Sequence, residues 1–337
     1  MSEHGKNGSA VTMRDVAKAA GVSVATVSHV VNNKAGARIG DDARRRVQEA
    51  VVELGYRPNA LAKTLSQGTS RFIGLVSDAI ATTPFAGQII HGAQVEAWKH
   101  GYILLVADTD GNRAAEDDAI AMMLEHQVRG VLYSSWFHHE ITVPRALEET
   151  DTVLVDCFAA DSGLPTVVPD EEQGGRTATE ELLAAGHRRI AFINTTTPSP
   201  ARSGRLAGYR AALEARGIDF DSALVFSAAP DQEGGYAATA RVVASGATAV
   251  FCHNDRVAMG LYDGIRERGL RIPEDIGVMG FDNQDVIAAH LRPPLSTVAL
   301  PHYELGAAAV RVLLGIDPAD DARPRLVVCP PIRRHSV

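Results

Sequence analysis

The chain has no apolar run approaching the ~20 residues that a bilayer-spanning helix needs, so no membrane partner is expected. Its opening stretch, MSEHGKNGS, lacks the hydrophobic core of a signal peptide, which leaves the cytoplasm as the expected compartment. Cysteine is scarce. Cys157, Cys252 and Cys329 stand far apart and match neither a disulfide framework nor a zinc knuckle. Reactive motifs are missing too. The adjacent side chains of His138-His-Glu point apart and no second ligand cluster follows, so this stretch reads as a solvated loop, not a metal site. Gly174-Gly and Gly204-Arg-Leu-Ala-Gly have neither the spacing nor the lysine of a phosphate-binding loop. No nucleophile–base pair is evident, so neither an enzyme nor a bound cofactor is expected.

What is present divides unevenly. With 337 residues, two or three compact units are expected. The net charge of −8 argues against a nucleic-acid partner until the chain is split. Residues 1–70 hold ten Lys/Arg and six Asp/Glu, a net +4, and the remaining residues hold 23 and 35, a net −12. A small basic module on a large acidic one suits a head that docks on phosphates.

Residues 13–32 carry the pattern of a helix-turn-helix. Ala17 supplies the small residue that a steep helix crossing needs, Gly21 the turn, and Val27 a core β-branched position. Val16, Ala20, Val22 and Val30 fill the other buried positions, and Ser23 stands ready to cap the second helix. That helix would expose Val24, Ala25, Ser28 and His29 to base edges in a major groove. Val47, Ala50, Val51 and Leu54 share one face of a third helix over 41–54, ended by Gly55. Arg44, Arg45 and Arg46 at its start can meet phosphates or simply be solvated. From Pro58, Asn59 can cap a two-turn helix carrying Ala60, Leu61, Ala62 and Leu65, too short to be stable without a partner. Leu65 is placed to wedge between base steps in a minor groove.

Beyond residue 70, near-continuous apolar runs alternate with helical patterns. They fall at 73–77, 103–108, 130–134 and 152–156, then at 190–193, 224–227, 249–252 and 276–281. Such runs predict parallel strands buried on both faces, in two doubly wound subdomains. Ligands of such sheets bind past the carboxyl ends of the strands, where Asp78, Asp108, Trp136, Asp156, Asn254 and Asp282 fall. Carboxylates, an amide and one aromatic face suit a small polyhydroxylated ligand. Capping or turn roles compete for Asp78 and Asp108, and a core-edge role for Trp136.

From residue 12 onward the chain resembles the lactose-repressor (LacI/GalR) type of transcription regulators. The resemblance rests on DVAKAAGVSVATVSHVVN from Asp15, LGYRPNALAKTL from Leu54 and GHRRIAFI from Gly186. It continues through GRLAGY from Gly204, CHNDRVAMG from Cys252, GFDN from Gly280 and PPLSTV from Pro293. It implies an all-α helix-turn-helix head over 12–57 behind a disordered tail (1–11), and a hinge helix and linker over 58–70. An α/β periplasmic-binding-protein-like body follows over 71–337. Its first subdomain would hold about 71–170 plus 300–325, and its second about 171–299 plus 326–337.

The resemblance further implies a homodimer reading a pseudo-palindromic double-stranded operator through Ser23, Val24, Ala25, Thr26, Ser28, His29 and Asn32. Tyr56, Asn59, Ala62 and Leu65 would join them, Leu65 matching an intercalating leucine. Phe85, Trp136, Asp156, Arg205, Asn254 and Asp282 would line the effector cleft, although Thr83-Pro-Phe departs from the common Asn-Pro-Phe. Ala228-Ala-Pro stands where many relatives carry an aromatic, which leaves the ligand open. The expected function is repression of a carbohydrate-utilisation operon, relieved by a sugar. The alternative is a corepressor-dependent regulator answering to a nucleobase or other metabolite. A periplasmic-type sugar receptor is opposed by the head and the missing signal, and an enzyme by the missing catalytic set. The ending, IRRHSV, has no leucine heptad, so no tail-mediated tetramer is expected.

Overall fold

Helix boundaries in the N-terminal unit follow from local chemistry. The structure is a computed structural model describing residues 11–31, 39–56, 70–80, 87–160, 162–318 and 323–337. It divides into two units, Met1–Ser70 and Arg71–Val337. Helix α1 (Met13–Ala20) opens with a capping box, in which the Thr12 N–H donates to the Asp15 carboxylate at 2.9 Å while Asp15 N–H returns to the Thr12 hydroxyl. It stops at Gly21, whose φ of +63° no β-branched residue would accept cheaply. Ser23 Oγ then accepts the Thr26 N–H at 3.1 Å and so caps α2 (Val24–Val31). With α3 (Asp41–Glu53), these helices bury Val16, Ala17, Ala20, Val27, Val30, Val47 and Ala50 in one core. The expected tail, Asn32 and the hinge residues Asn59, Ala62 and Leu65 lie outside the described residues, as does Phe85.

The second unit is built on two six-stranded sheets. The first joins β1 (Phe72–Ser77), β2 (Ile103–Asp108), β3 (Val131–Glu140), β4 (Thr152–Phe158), β5 (Thr166–Pro169) and β11 (Arg325–Val327) in the order β11-β5-β4-β3-β1-β2. The second joins β6 (Ile190–Thr195), β7 (Val225–Ala228), β8 (Ala249–Cys252), β9 (Gly277–Asp282), β10 (Ser296–Ala299) and β12 (Pro331–Ile332) in the order β12-β10-β9-β8-β6-β7. Pairing is parallel except between β10 and β12.

Helices cover both faces of each sheet, and this is why the strand runs are apolar without alternation. On the first sheet, Ile73 and Leu75 pack toward α4 (Gly87–Lys99) and α12 (His302–Leu313), whereas Val76 and Val131 pack toward α5 (Arg113–Glu125). A short α6 (Arg145–Glu148) follows β3. On the second sheet, Phe192, Phe251 and Phe281 face α7 (Glu171–Ala184) and α8 (Pro200–Glu214). Ala191, Val250 and Val278 face α9 (Gln232–Ala244) and α10 (Asp255–Glu267), and α11 (Asp285–Ala288) follows β9.

Two glycine motifs that fail as phosphate loops find their purpose between α7 and α8. A Cβ on Gly208 would stand 2.1 Å from Glu172 O, and one on Gly175 would stand 2.4 Å from Arg205 O. Only glycine lets these backbones approach, and the approach sets Arg205 opposite Glu171.

The chain crosses between the subdomains three times, after β5, after β10 and between β11 and β12. Gln173 ties the last crossing down, donating from Nε2 to Cys329 O at 3.2 Å and accepting the Cys329 N–H at 2.8 Å.

The structure differs from the sequence-based expectation in three places. Strands β5, β10, β11 and β12 are additional to the eight expected, each four residues or fewer. Because β11 pairs with β5, residues 326 and 327 belong to the first sheet, not the second. The His138-His139 stretch is no solvated loop. β3 runs on past a register shift to pair His139 with Cys157 and Glu140 with Phe158, which leaves both histidines partly buried.

Candidate functional site

The chain order places a crevice in the second unit. In each sheet the chain steps from the first strand to one side and then returns to the other, so β1/β3 and β6/β8 are reversal points open at their carboxyl ends. A cavity of about 230 Å³ lies there, lined from both subdomains. Trp136, Asp156, Arg205, Asn254 and Asp282 all reach it. It is also lined by Phe137, His138, Glu171, Thr195, His253 and Arg256, none of which the sequence pattern assigns to the cleft.

Apolar cover comes from the tilted rings of Trp136 and Phe137, 4.7 Å apart, together with Leu300, Pro230 and Ala201. Asp156 sits near the end of β4 at φ +55° and only 2% exposed, and among the described residues its Oδ1 has no hydrogen-bond partner. Burial, reinforced by the Glu171 carboxylate, pushes its carboxyl well above the usual range. His253, buried one residue before Asn254, likewise leaves Nδ1 unpartnered among the described residues, and burial followed by the Arg205 charge holds it far below an ordinary histidine.

Arg205 organises the charges. Its Nε donates to Glu171 Oε2 at 2.8 Å, Nη1 donates to His253 O, and Asp282 Oδ1 stands 3.8 Å from Nη1. Its guanidinium lies 3.6 Å from the Phe281 ring centroid. Burial alone would raise the Glu171 carboxyl, but Arg205 and the His138 contact hold it at about 2. Burial dominates at Asp282, which Arg205 and Gln284 pull back only to about 6. Asp282 and Asn283 have consecutive positive φ values of 100° and 55°, steadied by Gln284 Nε2 on Asp282 at 2.9 Å and Arg334 Nη2 on Asn283 at 2.7 Å.

Some strand-end polar residues serve the scaffold. Asp78 accepts from Ala79 N–H, Trp136 N–H and the Ser135 hydroxyl, so it ties β1 to β3 as a turn residue. Asn254 Oδ1 caps α10 through the Val257 N–H at 2.9 Å while its Nδ2 donates to Pro230 O at 3.0 Å. It borders the cavity with its amide already engaged. Among the described residues, no group of three or more His, Cys, Asp or Glu could hold a metal ion.

In the head, Ser23, Val24 and Ala25 are exposed at the start of α2, while Thr26, Ser28 and His29 are partly buried along it. Tyr56 departs from expectation. It is 7% exposed in the head core, packed below the helices and not offered at the surface. Arg45 and Arg46 are held by ion pairs to Asp42, and such exposed pairs are weak enough for a phosphate to displace.

Residues 12–59 match the model of bacterial regulatory proteins of the lacI family, and residues 179–337 match a periplasmic binding protein-like domain. The ribose operon repressor of Haemophilus influenzae is 34% identical, over 90% of this chain and 91% of its own length. The transcriptional repressor PurR of Photobacterium profundum is 31% identical, over 90% and 91%. A lac repressor dimer bound to operator and the anti-inducer ONPF superposes with a TM-score of 0.77 at 26% identity, covering 97% of this chain and 99% of that one. These relatives are repressors, not enzymes. A helix-turn-helix head joined to a cleft-bearing double sheet therefore has one reading: the chain belongs to the LacI family of DNA-binding transcriptional repressors.

Proposed function

We propose that this repressor controls a carbohydrate-utilisation operon and that a small sugar in the cleft switches its operator affinity. The observation that carries the reading is Asp156, whose buried Oδ1 is unpartnered among the described residues, in the same cavity as the Trp136–Phe137 rings. A pyranose or furanose offers hydroxyl donors to the first and a C–H face to the second. Val24, Ala25 and His29 read bases in each operator half, and the sugar acts as an inducer in the cytoplasm. Its leverage is limited to its differential affinity for the two conformations of the body. A homodimer is supported by Trp98, Ile103 and Val106, which are 61%, 49% and 43% exposed on α4 and the edge strand β2.

A thermal-shift screen of pentoses, hexoses and disaccharides, followed by gel shifts of the DNA upstream of the chain's own operon, tests the proposal. A stabilising sugar that releases the operator supports it. Stabilisation only by a nucleobase that tightens the operator complex would replace it with a corepressor mechanism, which the likeness to PurR keeps in view.

A further inference from the structure

The two guanidiniums of the cleft are unequally provided for. Arg205 stands between two carboxylates, with Glu171 Oε2 at 2.8 Å from Nε and Asp282 Oδ1 at 3.8 Å from Nη1, and its Nη2 takes no part in these contacts. Arg256 lines the same cavity from the first turn of α10. It is partly buried, yet among the described residues it makes no hydrogen bond and no ion pair, and its buried Nε has no partner. Its charge is felt at Asp282 and His253 without a bond to either.

The second subdomain lines the cavity with further donors. Thr195 Oγ1 accepts the Thr197 N–H at 3.0 Å and Ser199 Oγ accepts the Arg202 N–H at 3.2 Å, so both hydroxyls keep a proton to give. Ser199 caps α8, a helix of 15 residues whose N-terminal dipole favours negative charge. From the first subdomain, Asp156 Oδ1 is an acceptor with no partner among the described residues. A neutral polyol satisfies Asp156 and leaves the Arg256 charge unmatched. Anionic oxygens match it, because the planar fork takes two of them at once and bonds to an ionised acceptor are roughly twice as strong as neutral ones.

We infer that Arg256 is a specificity-determining residue of the cleft, and that the effector is a sugar derivative bearing an anionic group, a phosphate or a carboxylate, which Arg256 holds with Thr195 and Ser199. Glu171 stays on Arg205 throughout. The inference rests on the cavity being the effector site and narrows the kind of sugar proposed for it.

Inorganic phosphate and acetate are the probes. The full chain is melted across 0–50 mM of each at fixed ionic strength, as wild type, Arg256→Gln and Arg256→Met. Neither substitution removes a hydrogen bond or ion pair among the described residues. The wild type should gain a saturable rise of roughly 3 °C with at least one probe, equivalent to a Kd of about 5 mM, and both variants should lose it. A rise with phosphate alone points to a sugar phosphate, and one with acetate alone to a sugar acid. A wild type flat to both probes overturns the proposal. So does a rise that survives in the variants, which would place the anion elsewhere, as on the arginines of the head. A neutral sugar that stabilises a wild type indifferent to both anions would end the role of Arg256 and leave the sugar reading standing. An anion response lost with Arg256, beside no response to any sugar, would do the reverse.

Discussion

Asp282→Asn separates what the cleft costs from what it does. The Asp282 carboxyl is pushed from 3.8 up to about 6, chiefly by burial, with Arg205 and Gln284 only partly offsetting it. A carboxyl whose folded pKa is raised works against folding once the unfolded chain ionises. The cost begins near pH 4, grows until the folded group ionises near pH 6, and then levels off. About two units at 1.36 kcal/mol each give roughly 3 kcal/mol carried at neutral pH. Asparagine keeps the shape and still accepts from Gln284 Nε2, now 2.9 Å from Asp282 Oδ2, but cannot ionise. Urea unfolding of wild type and variant at pH 4.5 and pH 7.5, without ligand, isolates the effect. The stability difference should move by about 2 kcal/mol in favour of the variant between those pH values. A difference that does not change with pH would refute the reasoning, because the carboxyl would then titrate alike in the folded and unfolded chains.

Gly208→Ala should destabilise the second unit by roughly 1–3 kcal/mol in denaturant, because its Cβ would stand 2.1 Å from Glu172 O. Ser23→Ala removes the cap of α2 and should cost about 1 kcal/mol, read as faster hydrogen exchange of the Val27 and Val30 amides. His29→Ala should weaken the preference for operator over random DNA by roughly 1–3 kcal/mol while leaving the salt slope of log K unchanged, whereas Arg45→Ala should flatten that slope by about one if Arg45 meets a phosphate.

The head was legible almost residue by residue, because Thr12, Gly21 and Ser23 fix helix ends by chemistry that does not depend on distant parts of the chain. Tyr56 was misplaced because a tyrosine after Gly55 suits a surface as well as a core. In the body, the eight expected strands announce themselves by apolar runs, which are buried on both faces except in the edge strands β2 and β7. The other four do not, since β11 and β12 are edge strands and β5 and β10 lie next to them, where a few paired residues suffice. β3 hides its second half because Trp-Phe-His-His-Glu has no strand-like alternation, and only the pairing of Glu140 with Phe158 reveals it. Glu171 was invisible for another reason. An acid in the first turn of a helix, after the capping Asp170, reads as ordinary dipole compensation. Only the approach of α8, permitted by Gly175, Gly204 and Gly208, turns it toward Arg205.

The three crossings impose an order on biosynthesis. Neither sheet is made from one continuous stretch, since the first waits for α12 and β11 and the second for β12. At ~5–20 residues per second, the ribosome delivers α12 on the order of ten seconds after β5. Throughout that interval Ile89 and Ala93 on α4 lack the Leu305 and Ala309 surface that later buries them. The nascent first subdomain is thus an unfinished layer with an open apolar face, and the second must grow beside it. Synthesis rate and chaperone supply, not the stability of the finished protein, should set the yield of this repressor.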